Sequence, residues 1–169
     1  MASIINVDQI AEATSGSGVH IPGHVIQVVG NHLNTVVTTT GTTFADTGLT
    51  ATLTPKKSTS KFLILVNLGI VSSSTNDGVM FRLLRNSTVI GSATGANNYD
   101  NFIQVWPNSA YIYVGGANHF YDTPSTASQI VYKLQWAMTG GTDTGYINRR
   151  SSGNYARTSS NFTVQEIAQ

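Results

Sequence analysis

The chain of 169 residues has no cysteine, only four prolines and few charges. Without cysteine there is no disulfide staple, no thiolate metal site and no thiol chemistry. Charged residues make up 10% of the chain and the formal net charge is +1, whereas an average soluble domain is about 25% charged. A nucleic-acid binder needs a basic stripe. The nearest approach to one, Lys56, Lys57 and Lys61, reads as an exposed turn ahead of a strand, so nucleic acid is not an expected partner. Membrane insertion is not expected either. The longest apolar run, 62–71, is interrupted by Asn67 and Gly69 and falls well short of the ~20 residues of a spanning helix. Met1-Ala2-Ser3-Ile4 opens without the basic and apolar regions of a secretory signal. No fixed-period repeat is visible.

What is present is Ser, Thr, Asn and Gly in place of charge. Near-zero net charge gives little colloidal repulsion, which suits a subunit held in an assembly. The length fits one domain plus a tail. A domain of about 150 residues buries close to 70% of its unfolded surface and needs no staple or metal.

The organisation is an arm, a joint and a β-domain. Residues 1–24 form an N-terminal attachment arm with the Gly/Ser joint Thr14-Ser15-Gly16-Ser17-Gly18. Asp8 caps a single helical turn over Gln9–Ala13, or Ile4, Asn6 and Asp8 alternate with Ile5 and Val7 as a strand; the residues fit both. In either case Ile4, Ile5, Val7 and Ile10 are too few to form a core, so they are the candidate attachment residues and need a partner surface.

Residues 25–169 read as short strands between turn residues. Val25–Val29 is a first strand ended by Gly30-Asn31, followed by Asn34–Thr40 and Leu49–Thr54. In Lys61–Val71, Phe62, Ile64, Val66, Leu68 and Ile70 share one face, while Leu63, Leu65 and Val71 occupy the other. Asn76-Asp77-Gly78 reads as a hairpin turn, and Val79–Arg85 with Thr88–Ser92 reads as a hairpin about Asn86-Ser87. Asn101–Trp106 and Tyr111–Val114 are aromatic-rich strands. Ile130–Met138 alternates cleanly, and Gly145–Arg150 and Asn161–Ile167 close the chain. Eight to ten short strands predict an all-β, antiparallel jelly-roll β-sandwich with no helix outside the arm. The two-sided strand needs a second cover, so Leu63, Leu65 and Val71 are candidate subunit contacts.

Signals of chemistry are sparse. His20 and His24 flank Ile21-Pro22-Gly23, and two imidazoles can ligate a metal. Spacing of four suits a helix, however, and Pro-Gly forbids one here, so no metal and no cofactor are expected. Asp46, Asp77, Asp100, Asp122 and Asp143 all stand beside turn residues, where an Asx-turn role accounts for them. No nucleophile–base set, phosphate loop or zinc motif accompanies them, and no catalytic residue is assigned. Tyr99, Asp100, Asn101 and Trp106 form a candidate glycan contact, set against the ordinary role of aromatics as core or subunit-contact filling. Asn86-Ser87-Thr88 and Asn161-Phe162-Thr163 fit the glycosylation pattern by chance.

Several phrases carry a likeness. Ile5-Asn6-Val7-Asp8-Gln9-Ile10, the stretch Thr14–Gln27, Phe44–Pro55, Tyr121-Asp122-Thr123-Pro124 and Val164–Gln169 together resemble structural proteins of tailed phages, especially phages of aquatic bacteria. The resemblance implies a non-enzymatic virion protein of the tail-fibre or decoration type. It implies a jelly-roll knob of the kind shared by C1q and tumour-necrosis-factor trimers, and hence a homotrimer. The arm would dock onto other virion proteins, and the knob would sit on the virion surface, in contact with a host-surface glycan. The protein would be made in the host cytoplasm and released by lysis. The departure is the absence of a shaft, which leaves two placements: a short tail-fibre tip, or a cement trimer bracing the head. A glycan-degrading tailspike is the reading from another class, but the long β-helix of such enzymes has no room here.

Overall fold

The computed structural model describes residues 9–14, 21–74, 77–93, 101–107, 114–152 and 156–169. Among them are eleven strands and no helix: β1 (Val25–Leu33), β2 (Val37–Thr39), β3 (Ala45–Leu53), β4 (Lys61–Ser73), β5 (Val79–Arg85), β6 (Thr88–Ile90), β7 (Ile103–Val105), β8 (Val114–Asp122), β9 (Ile130–Met138), β10 (Gly145–Ile147) and β11 (Ser160–Ile167). Gln9–Thr14 are neither helix nor strand; of the candidate arm, residues 1–8, with Ile4, Ile5 and Val7, and residues 15–20 lie outside the described residues.

All pairings are antiparallel and form two sheets. The first runs β1-β11-β4-β10-β2, with β8 on the free edge of β4; the second runs β3-β9-β5-β6, with β7 also on β5. Several short strands share one position. β11 pairs Lys61–Asn67 of β4 and β10 pairs Val71–Ser73 of the same strand, while β6 and β7 take opposite halves of one edge of β5. Each sheet thus reduces to four strand positions. Numbered along the chain, the orders are 1-8-3-6 and 2-7-4-5, the interleaving of a jelly roll.

Burial follows the period-two pattern. In β9, Ile130, Tyr132, Leu134, Trp136 and Met138 are all buried, as their alternation predicts. In the core Phe81 stacks on Trp136, its cross-strand neighbour in the second sheet, at 6.2 Å, and Phe62 of the first sheet meets Tyr132 of the second at 6.0 Å. Phe62, Ile64, Val66 and Leu68 of β4 face the same core.

The alternation breaks at Gly69, and Val71 is a correction. Between Leu68 and Val71 the β4–β8 register shifts, because β4 carries one extra residue there, a bulge. A Cβ on Gly69 would collide with Thr158 Oγ1 and stand 2.7 Å from the Ser159 carbonyl oxygen, so the crossing segment requires glycine. Ser160 Oγ and Thr158 Oγ1 accept from the Gly69 and Ile70 amides. The bulge advances the phase by one residue. Val71 therefore points into the core at 0% exposure and offers no subunit contact, while Ile70 leaves the row of Phe62.

A second correction concerns Asp77-Gly78. β4 and β5 lie in different sheets, so this turn carries the chain across the sandwich and does not close a hairpin. The β5–β6 hairpin forms as expected, with Asn86 at φ 54°, a left-handed conformation that asparagine tolerates.

Buried polar side chains lock both ends. Asp122 of the first sheet accepts from Arg85 Nη1 at 2.7 Å and from the Tyr132 hydroxyl at 2.7 Å, both on the second sheet. Asp122 thus ends a strand and joins the sheets, so its role is more than a turn. At the other end Asn148 donates through Nδ2 to the Leu33 and Thr35 carbonyls and accepts from Ser160 Oγ at 2.7 Å.

Candidate docking surface

The outer face of the first sheet is assembled by register. Leu63 of β4 lies between Tyr121 of β8 and Gln165 of β11, and Gln165 faces Val28 of β1. The next row is His119, Leu65, Thr163 and Gly30; the next is Ala117, Asn67, Asn161 and His32. Across these rows there is no carboxylate and no guanidinium. Lys61 at the rim, 5.7 Å from the Tyr121 ring centroid, is the cation of the face. Large apolar groups stand in water: Val28 is 57% exposed, Tyr121 47% and Leu65 37%. Leu63 is half-buried. Leu65, Asn67, Ala117 and His119 line an open depression of about 550 Å³ between β4 and β8.

Two of the three expected contact residues, Leu63 and Leu65, thus stand side by side on one outward face, and Val71 does not join them. Sequence reading missed Val28, His119 and Tyr121. β8 gives little signal, because Gly115-Gly116-Ala117-Asn118 lacks β-branched residues.

The arm reaches the sandwich at the edge of this sheet. Ile21-Pro22-Gly23-His24 forms a turn closed by the His24 amide on the Ile21 carbonyl at 3.0 Å. Proline second and glycine third at φ 87° are the residues of a type II turn. The Gly23 amide donates to the Ala168 carbonyl, and the Ala168 amide donates to the His24 carbonyl, both at 2.9 Å. These bonds pin the arm's root to the C-terminal residues beside β1. Ile10 is exposed. His24 is exposed as well, and His20 lies outside the described residues. Among the described residues no group of three His, Cys, Asp or Glu is placed to hold a metal ion.

The second sheet's outer face is built differently. Gln135 accepts from Arg82 Nε and Nη2 at 2.9 and 2.6 Å and donates to Asp46 at 2.6 Å. Lys133 pairs with Asp46 at 3.1 Å, and the Arg82 guanidinium lies 4.2 Å over the Phe44 ring. The Gln135 hydrogen bond, then Lys133, hold the Asp46 carboxyl below its usual value; partial burial, eased by Asp46, lowers that of Arg82.

Of the expected glycan contacts, Tyr99 and Asp100 lie outside the described residues. Asn101 is half-buried with Nδ2 3.4 Å from Gln104. Trp106 is 56% exposed, so it fills no core.

No protein-family model matches the chain, and no curated protein is similar to it.

Proposed function

We propose that the chain is a structural subunit of a phage particle: a homotrimeric jelly-roll knob, anchored by its N-terminal arm to other particle proteins and displayed as a short tail-fibre-type module. The observation that carries this reading is the bare outer face of β1-β11-β4-β8. A sheet face that leaves Val28, Leu63, Leu65 and Tyr121 together without a charge among them is suited to cover by another chain. Burial recovers about 25 cal/mol per Å² of apolar surface, against an association cost of several kcal/mol, and a closed three-fold ring repeats each contact three times. The phage resemblance of the arm and of Phe44–Pro55 supplies the setting, and Gly23 and His24 are pinned to Ala168 at the edge of the same sheet.

Two measurements test the reading. Light scattering of the purified protein at micromolar concentration is expected to give three times the chain mass of 18.0 kDa; a stable monomer overturns the trimer. Gold labelling of intact particles is expected to mark the tail, whereas label on the head lattice would place the protein as a cement trimer. Deleting residues 1–18 is expected to leave a folded knob that no longer attaches to particles.

A further inference from the structure

We infer that the open face of β1-β11-β4-β8 is an acid-released contact. Copies of this chain cover it with the same face at neutral pH, and protonation of His119 and His32 parts them. The inference rests on the trimer reading and adds its regulation.

The choice of occupant follows from charge. Lys61 stands at the rim, and across the rows from there to His32 the described side chains carry neither a carboxylate nor a guanidinium. A copy of such a face meets it without like-charge repulsion, whereas a charged partner would find no counter-charge there. His119 stands exposed beside Leu65, and His32 stands exposed at the other margin, on β1 beside Asn161. Histidine is the side chain whose charge ordinarily changes between pH 5 and 8, so these two groups are the ones that can charge the face in mild acid.

Their surroundings offer no acceptor for a new cation. Around His119, β4 presents Leu65 and Asn67, β11 presents Thr163, and β8 itself presents Ala117 and Tyr121. β7, which packs beside β8, holds no titratable residue. The carboxylates of these strands point the other way. Asp122 is buried against Arg85 and Tyr132, and Glu166 is buried and accepts from Gln27 and the Lys56 amide. Beside His32, β11 presents Asn161. β3, which packs beside β1, holds Asp46 on the outer face of the second sheet, engaged by Gln135 and Lys133. Beyond the Gly69 crossing, Arg149 lies over the Tyr146 ring and Arg157 is exposed; both stay positive at every pH of interest. His24 is exposed in the turn at the sheet's edge.

A covered imidazolium without an acceptor is disfavoured by desolvation, and in a symmetric assembly every copy brings the same charge. The assembled state therefore binds fewer protons than the separated chains. By linkage, association strengthens as pH rises and is lost as pH falls through the histidine range. Each imidazole so covered weakens association about tenfold per pH unit below that range.

The test is sedimentation velocity of the full chain at about pH 7.5 and about pH 5 at one ionic strength, with circular dichroism at each pH to follow the fold. The expected result is a trimer at the higher pH, a folded monomer at the lower, and the trimer again on neutralisation. His119→Gln, which cannot titrate, should hold the assembly about tenfold better in acid, and His119→Gln with His32→Gln should stay trimeric there. His119→Lys, whose charge is fixed, should be a folded monomer at both. A trimer equally stable at both pH values overturns the inference and leaves the trimer reading standing; a monomer at both overturns the two together. Association that tightens in acid would put carboxylates on the covering surface and overturn the second copy as occupant. Dissociation that persists in the doubly substituted chain assigns the response to other groups and overturns the inference too. Should acid unfold the chain, His119→Lys at neutral pH decides, since a trimer that persists in it overturns the inference.

Discussion

The two outer faces of this sandwich are made from similar antiparallel strands and show water different things. On the second sheet Asp46, Gln135, Arg82 and Lys133 link into one hydrogen-bonded network. On the first sheet the equivalent surface carries Val28, Leu63, Leu65 and Tyr121 with Lys61 at its rim. Exposed edges and faces invite pairing with other chains, and charge is the usual means of preventing it. One face is protected and the other is left open, and that asymmetry is the strongest functional statement the fold makes.

The largest expected effect comes from making the open face resemble the protected one. Leu65→Glu places a carboxylate at the centre of the face, beside Thr163 and His119. Leu65 already meets water, so the knob should stay folded, with an unchanged circular dichroism spectrum. The assembly should fall to monomer by light scattering, because a buried unpaired carboxylate costs several kcal/mol per contact. A trimer that persists in Leu65→Glu would show that this face is not the interface.

The next effect sharpens the contrast between surface and interior charge. Asp122 accepts from Arg85 and Tyr132 across the two sheets, with the Asp122 side chain 7% exposed. Asp122→Ala leaves a guanidinium and a phenol without their acceptor and should lower unfolding stability by about 3 kcal/mol in a urea titration. A loss as small as that of a surface pair would mean that the lock contributes little.

How far the asymmetry was legible in the sequence depends on the strand. β9 was readable in full, since five large side chains alternate with no glycine or proline among them. β4 was readable up to Leu68. Beyond it the phase depends on Thr158 and Ser159 passing over Gly69, about ninety residues later in the chain, and no local pattern encodes that crossing; hence Val71 was assigned to the wrong face. β8 was largely missed because its glycines and Asn118 suit sheet packing without β propensity. Leu63 and Leu65 were visible as candidates, but Val28 and Tyr121 join them only through register. Trp106 could not be separated from a core aromatic by composition.

Tyr132 tests the interior lock through pH. Burial first, then the hydrogen bond to Asp122, raise its phenol above the ordinary value, near 10. A group whose folded value is raised contributes stability that is complete below the unfolded value and is lost as pH rises toward the folded one. Stability should therefore decline from about pH 10 upward. Tyr132→Phe should cost about 1–2 kcal/mol at neutral pH and make that alkaline decline shallower. An identical alkaline profile in the two proteins would assign the decline to other groups.

The smallest expected effect lies on the protected face, and it completes the contrast. Asp46 is more than half exposed, so water and salt screen its interactions. Its carboxyl is lowered by Gln135 and then Lys133. The stability this supplies is therefore present above the unfolded value near 3.9 and lost as pH falls through the folded one. Discounted for screening, Asp46→Ala should cost no more than about 1 kcal/mol, less at high salt, with no change in oligomeric state. Charge on that face would then contribute little to holding the fold. If Asp46→Ala or Arg82→Ala produced higher oligomers at neutral pH, the same network would be shown to keep a second face from closing on its neighbours, and the open face would be open because its protection is missing by selection of sequence rather than by the geometry of the sheet.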